Sequence, residues 1–224
     1  MLSEMFYKLW DNGLLQLGIW ETVYMTFISS VFAYLIGLPL GVVLNVTSPN
    51  GIHPMPKLNK LLGFVVNFFR SIPFIILMVA MLPVAKFIVG TSLGNKAVIV
   101  MLVIAAAPYV ARMAESSLSE VSSGVIEAAQ SMGATPLQII CKVILREAFP
   151  SLISGAAICT TTILSYSAMA GILGGGGLGA LAINYGYYRY LYDIMIYSII
   201  ALVILVQVLQ LIGTKLAIKL DHRK

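Results

Sequence analysis

The chain has 224 residues, of which 59% are apolar and 10% charged, with a mean hydropathy of +0.95. A soluble domain of this length needs far more charge to cover its surface, so the composition excludes one and makes the bilayer the solvent for most of the chain. The formal charge of +5 reads as cytoplasmic-side charge on a membrane protein and not as the footprint of a nucleic-acid partner.

Five apolar stretches come near the roughly 20 residues that a bilayer crossing requires. Ahead of the first lie Glu4, Lys8 and Asp11, with no short apolar core and cleavage site, so the first stretch reads as a retained span. It runs from about Leu17 to Val46, and Gly37, Pro39 and Gly41 inside it predict a kink. The second runs from about Leu61 to Leu82, with Arg70 and Pro73 near its middle. The third, about Ala97 to Val110, is the shortest and is interrupted by Pro108. The fourth covers about Leu152 to Leu173 and the fifth about Leu191 to Ala217.

The basic residues Lys57, Lys60, Arg112, Lys142, Arg146, Lys215, Lys219, Arg223 and Lys224 fall on one side of this arrangement. Lys8, Lys86, Lys96 and Arg189 fall on the other. Positive charge prefers the cytoplasm, which predicts an outside N-terminus and a cytoplasmic C-terminus. Neither Cys141 with Cys159 nor His53 with His222 forms a ligand spacing, so no metal site or disulfide is expected.

The longest polar connection, 111–150, then faces the cytoplasm. Gly124 to Met132 reads as a short helix, which Gly133 ends by adopting a left-handed backbone. Thr135-Pro136-Leu137-Gln138 follows: an N-cap, a favoured first-turn proline and a glutamine able to close a capping box. Leu137, Ile140, Cys141 and Ile144 recur at helical spacing behind it. A rigid short helix in a cytoplasmic loop can seat in a partner's groove and act as a lever. Ala128 and Ala129 allow close approach there, and Glu127 sits near the helix start, where a carboxylate is favoured and could also meet a partner's base. A plain connector between two spans is the competing reading of the pattern.

Glu127-Ala128-Ala129-Gln130-Ser131-Met132-Gly133, followed after nine residues by Val143-Ile144-Leu145, resembles the EAA loop of binding-protein-dependent ABC importer permeases. Val143 stands where that pattern has Ile, and Arg146 where it ends in Pro; Pro150 lies four residues on. Asn67 to Leu77 and Tyr166 to Gly179 are similar to segments of methionine importer permeases, and the resemblance covers essentially the whole chain. It implies an all-α membrane domain of five transmembrane helices plus a short cytoplasmic coupling helix. It also implies two copies of the permease, two copies of an ATP-binding subunit that holds ATP and Mg, and an extracellular lipid-anchored protein that delivers methionine. Glu127, Ala128, Ala129 and Gly133 are the ATPase-coupling candidates.

Arg70 is the charge deepest in a span. It reads either as a contact for the cargo carboxylate or a subunit, or as a helix-end cation that snorkels or binds carbonyls. Met169, in the small-residue stretch Ser165 to Gly171, reads either as a gate at a two-fold axis or as ordinary packing. The run Gly174 to Gly177 lacks the Gly-Lys-Ser/Thr ending of a phosphate loop and reads as a hinge or a contact for the delivery protein. Tyr185, Tyr187, Tyr188, Tyr190 and Tyr192 read as an interfacial belt or a docking surface.

No Walker motif, catalytic set or mid-span carboxylate relay is found in the sequence. The chain therefore reads as a non-enzymatic pore with no cofactor of its own, driven mechanically by a separate ATPase to import an amino acid. An ABC permease for another small polar solute and an ion-coupled secondary transporter are the rival readings, the latter without the internal repeat it would show.

Overall fold

The computed structural model describes residues 12–220; Glu4, Lys8, Asp11, His222, Arg223 and Lys224 lie outside them. The described chain is helical, with no strand among the described residues. In order come α1 (Leu14–Thr47), α2 (Pro56–Ser71), α3 (Phe74–Ala80), α4 (Leu82–Val89), α5 (Asn95–Ser119) and α6 (Ser123–Ser131). The helix α7 starts at Pro136–Gln138, passes through a π-helical stretch at Ile139–Ile144 and closes with Leu145–Glu147. Next are α8 (Phe149–Met169), tightening to 3₁₀ at Ala170–Leu173, and α9 (Leu178–Ala180), running into a π-helical segment at Leu181–Tyr187. Last is α10 (Tyr192–Leu220).

Four uninterrupted helices, Leu14–Thr47, Asn95–Ser119, Phe149–Leu173 and Tyr192–Leu220, are long and apolar enough to cross a membrane. The second expected span differs from the prediction. It is bent by 102° between α2 and α3. The cause is local: the ring of Pro73 forces Ile72 out of the helical region, to φ −83° and ψ 127°. The third span corrects the expectation in the opposite sense. Pro108 does not stop it, and the helix expected to end near Val110 continues to Ser119. Ala111, Ala114, Ser117 and Leu118 are buried along the continuation, and that packing outweighs the one backbone bond a proline removes. Arg112, expected in a loop, therefore lies within α5. It pairs with Glu115 at 2.6 Å and donates from Nη2 to the Gly63 carbonyl of α2 at 3.3 Å.

The pairing of α1 with α5 is the most extensive in the molecule. On α1, Ser29, Ala33, Gly37 and Gly41 recur every fourth residue and all are buried, the spacing that makes one narrow helical stripe. On α5, Ala107, Val110, Ala111 and Ala114 face them. The expected kink region is one continuous helix, and its glycines serve contact. A Cβ on Gly37 would lie 2.6 Å from the Ala107 carbonyl oxygen, and one on Gly41 2.6 Å from that of Ala111. Small residues at such a seam let backbones approach where lipid supplies no hydrophobic drive.

The two helices run parallel and are tied at both ends. Near their starts Asn95 donates to Glu21 at 2.8 Å; at their finish Asn45 donates to the Ser119 hydroxyl at 3.0 Å. Against this pair pack α8 through Cys159, Ile163 and Ala170, and α3 and α4 through Met78 and Ala85. Helix α10 is the least enclosed, mostly apolar and exposed along its length.

Replacing Gly37 by Leu should overpack the seam at a cost of about 1–3 kcal/mol. Thermal unfolding in detergent should show a clear drop in midpoint. Gly63→Ala is the control, because its Cβ would meet only the Arg112 side-chain end, at 3.2 Å. Equal midpoints for the two variants would contradict the seam.

Candidate functional site

The end of the bundle where α1 and α5 finish carries the 111–150 connection. Its first part is α5 itself, so the true loop begins at Glu120. Helix α6, Ser123–Ser131, corresponds within a residue to the predicted short helix. It ends in a Schellman motif. The Gly133 N–H donates to the Gln130 carbonyl at 2.9 Å, and the Ala134 N–H donates to the Ala129 carbonyl at 3.1 Å, with Gly133 at φ +78°. Two residues on, the capping box forms as the sequence predicts. The Gln138 N–H donates to Thr135 Oγ1 at 3.4 Å, and the Thr135 N–H donates to Gln138 Oε1 at 2.9 Å. One helix is therefore closed and the next opened within a few residues, leaving little slack between them.

Burial then sorts the candidate residues. Ala129, 5% exposed, points inward with Leu118, Ile139, Ile144 and Ala148, a small core that mounts α6 on α7 and on the foot of α5. It is part of the mounting and does not lie on the free face, contrary to its expected use in close approach to a partner. Glu127, Ala128, Ser131 and Gly133 lie on the outer face. Beyond them the large apolar side chains of Met132 and Leu137 stand 82% and 73% exposed. Sequence spacing could not rank these two, because Met132 fills a variable position of the Glu-Ala-Ala-x-x-x-Gly pattern and Leu137 lies beyond it. A cleft of about 540 Å³ opens between α6 and the α1–α2 connection, with Glu127, Gln130 and Asn50 on its walls.

Arg70 lies in the last turn of α2, at the lip of the 102° bend. Its guanidinium stands 5.8 Å from the centre of the Tyr109 ring. Met169 is on an exposed stripe of α8 that also holds Ile158, Ser165 and Ile172. The sequence candidates therefore form three places, not one: the loop helix, the bend and the stripe.

A fourth arrangement was not foreseen. Inside α1, Glu21 accepts from the Gly177 N–H through Oε2 at 2.8 Å and from Asn95 through Oε1 at 2.8 Å. Asn95 in turn accepts from the Gly176 N–H at 2.7 Å, and Thr22 Oγ1 accepts from the Leu178 N–H at 2.9 Å. The glycine run is therefore a tethered turn and not a free hinge. A side chain at Gly176 would collide with the Glu21 carboxylate. Both oxygens of this in-helix carboxylate are engaged by protein donors. Tyr187, Tyr188, Tyr190 and Tyr192 are exposed beyond the turn, and Arg189 covers the Tyr185 ring at 4.4 Å. Among the described residues no cluster suits a metal ion, and Cys141 and Cys159 are both free.

Comparison with known proteins follows this geometry. Residues 37–223 match the sequence profile of the family described as "Binding-protein-dependent transport system inner membrane component". A probable D-methionine transport system permease protein, MetI, of Vibrio cholerae is 51% identical over 213 residues, 95% of each chain. Its counterpart in Haemophilus influenzae is 46% identical, over 94% of this chain and 99% of the other. A solved inward-facing structure of the MetNI methionine ABC transporter superposes with TM-score 0.92 at 48% identity, covering 93% of this chain and 97% of that one.

Two local changes test the architecture. Gly133→Val puts a β-branched side chain at positive φ, at a cost of about 1–2 kcal/mol. Hydrogen exchange should then quicken in 123–138 and remain unchanged in α1 and α5. Glu21→Ala orphans two backbone or amide donors, about 1–3 kcal/mol for a buried group. It should raise exchange and proteolysis at 174–178; protection equal to the parent would remove the tether from the account.

Proposed function

The chain belongs to the family of binding-protein-dependent transport system inner membrane components, and we propose that the cargo it passes is methionine, driven through its loop helix α6 by a separate ATPase. As a member it is a multi-pass membrane permease of an ABC importer and not an enzyme; ATP hydrolysis belongs to a distinct subunit. The observation that carries the mechanism is α6. It is capped at its C-terminus, mounted through Ala129, and presents Glu127, Ala128 and the exposed Met132 outward.

In this reading the loop end faces the cytoplasm and the tethered glycine turn faces outside, in line with the Lys/Arg bias. Two ATP-binding subunits, holding ATP and Mg, each grip one α6. The small core behind Ala129 passes their motion to α5 and α7 as a rigid displacement, because close-packed contacts deform little. A second copy of the chain completes the pathway, since five spans enclose little by themselves. The exposed stripe of α8 supports the contact between copies, with the two Met169 side chains meeting as a gate. A lipid-anchored delivery protein docks on the outer side.

The test is reconstitution with the ATPase and the delivery protein in liposomes. ATP-driven uptake of labelled methionine is expected, with other amino acids and oxyanions as competitors. Glu127→Lys should lower uptake at least tenfold, about 1.4 kcal/mol of coupling per factor of ten, while the permease still inserts and dimerises. Uptake that persists at the parent rate would remove α6 from the mechanism. Uptake driven by a proton gradient without nucleotide would favour the secondary-transporter reading.

A further inference from the structure

Met169 is exposed on α8, yet both of its chain neighbours are gripped. The Gly175 N–H donates to the Ala170 carbonyl at 3.1 Å. Gly179 lies so close to Ala168 that a Cβ there would collide with the Ala168 backbone, and Gly171 stands in the same relation to Ala180. The end of α8, the glycine turn and α9 are thus one interlocked unit, and the direction in which Met169 points follows the setting of that unit.

The unit is joined to α1 and to α5 by separate bonds. Glu21 Oε2 and Thr22 Oγ1 hold the Gly177 and Leu178 amides on α1. Asn95 makes the bond to α5. A primary amide carries a donor and an acceptor on one fork, and Asn95 uses both: Nδ2 donates to Glu21 at 2.8 Å, and Oδ1 accepts from the Gly176 N–H at 2.7 Å. At the other end of the bundle, Leu118 of α5 and Ala148, just ahead of α8, share the small apolar core that mounts α6. At about 1.5 Å per residue, Asn95 lies roughly 35 Å along α5 from Leu118. Helices α5 and α8 are therefore two rods rooted in one mount. Along their length they share an apolar core through Leu102, Ala106, Cys159 and Ile163. Such contact is non-directional and does not by itself fix how one rod is turned against the other. The directional bond at Asn95 does.

We propose that Asn95 is a positioning residue for the Met169 gate: it ties the far end of α5 to the far end of α8, so that a displacement at α6 reaches Met169 as a swing of both helices and not as a twist of α8 alone. The proposal rests on the reading of α6 and Met169 given above.

The experiment uses the full complex of permease, ATPase and delivery protein in liposomes, and reads methionine transported per ATP hydrolysed. Spin labels on Ile172→Cys, with Cys141→Ala and Cys159→Ala as background, report the distance between the two copies with and without nucleotide. Asn95→Ala cuts the turn from α5 and leaves its bonds to α1, so the Gly177 and Leu178 amides should keep their protection from exchange. Methionine per ATP should nevertheless fall about fivefold or more, the scale of a coupling between residues in direct contact. The nucleotide-dependent change in the Ile172 distance should be lost with it. Asn95→Asp sets two carboxylates against each other and should fall equally. Adding Glu21→Gln to Asn95→Asp reverses the bond: the introduced amide donates to the introduced carboxylate, and each keeps an oxygen for the Gly177 or Gly176 N–H. That pair should return transport per ATP to within about twofold of the parent, a recovery that only coupled residues show. Parental transport per ATP in Asn95→Ala, an unchanged Ile172 distance response, or a double variant no better than Asn95→Asp overturns the proposal and leaves ATP-driven uptake by the parent as it stands. Failure of the single variants to assemble, with or without recovery in the double, assigns Asn95 to folding and overturns it too. Absence of ATP-driven uptake in the parent overturns both this proposal and the importer reading.

Discussion

The close approach of α1 to α5 is the constraint on which the other elements depend. Gly37 and Gly41 bring the two backbones so near that no side chain fits between them at those levels. Polar ties at Glu21–Asn95 and Asn45–Ser119 fix their relative height. In lipid such a pair cannot be held by expelling water, so fit and hydrogen bonding do the holding. Most other parts are attached to this pair: α8 and the bent α2–α3 unit along its sides, the glycine turn at one end and the mounted helix α6 at the other; α10 is held instead by α8 and the 178–187 segment. A shift of α5 relative to α1 therefore disturbs both ends together.

The two ends are built on different principles. At the loop end the order is local. Gly133 and Thr135 use rules that operate over three or four residues, and the apolar core behind them is small. At the glycine end the order is long-range. Glu21 reaches a partner 156 positions away, and its carboxylate organises a backbone that has no side chains of its own to do so. Each principle suits its surroundings. A short helix exposed to solvent keeps its shape through caps, whereas a run of glycines is ordered only from outside.

Legibility in the sequence followed this division. The α6 boundary, the positive φ at Gly133 and the capping box at Thr135 were readable, because they depend on neighbours in the chain. The family-like Glu-Ala-Ala pattern pointed to the same segment. What could not be read was which way the helix turns: Ala128 and Ala129 are alike as residues, yet one faces out and the other is buried. Pro73 and Pro108 show the same limit. Both are prolines in apolar runs, but only the first breaks its helix, because α5 is held on either side of Pro108 by contact with α1. The glycine run was legible as a hinge or a docking loop and not as a tethered turn, since nothing near it in sequence hints at Glu21.

The head-to-tail arrangement of α6 and α7 has an electrostatic consequence. Only four residues separate the carbonyl end of α6 from the amide end of α7, so the partial negative pole of the first and the partial positive pole of the second offset each other. Between Glu120 and Lys142 the sequence holds a single formal charge, that of Glu127. The tip of the molecule is thus almost silent in its field apart from one carboxylate. An approaching cation on another protein would find a solitary beacon whose position fixes the rotational setting of the helix beneath it.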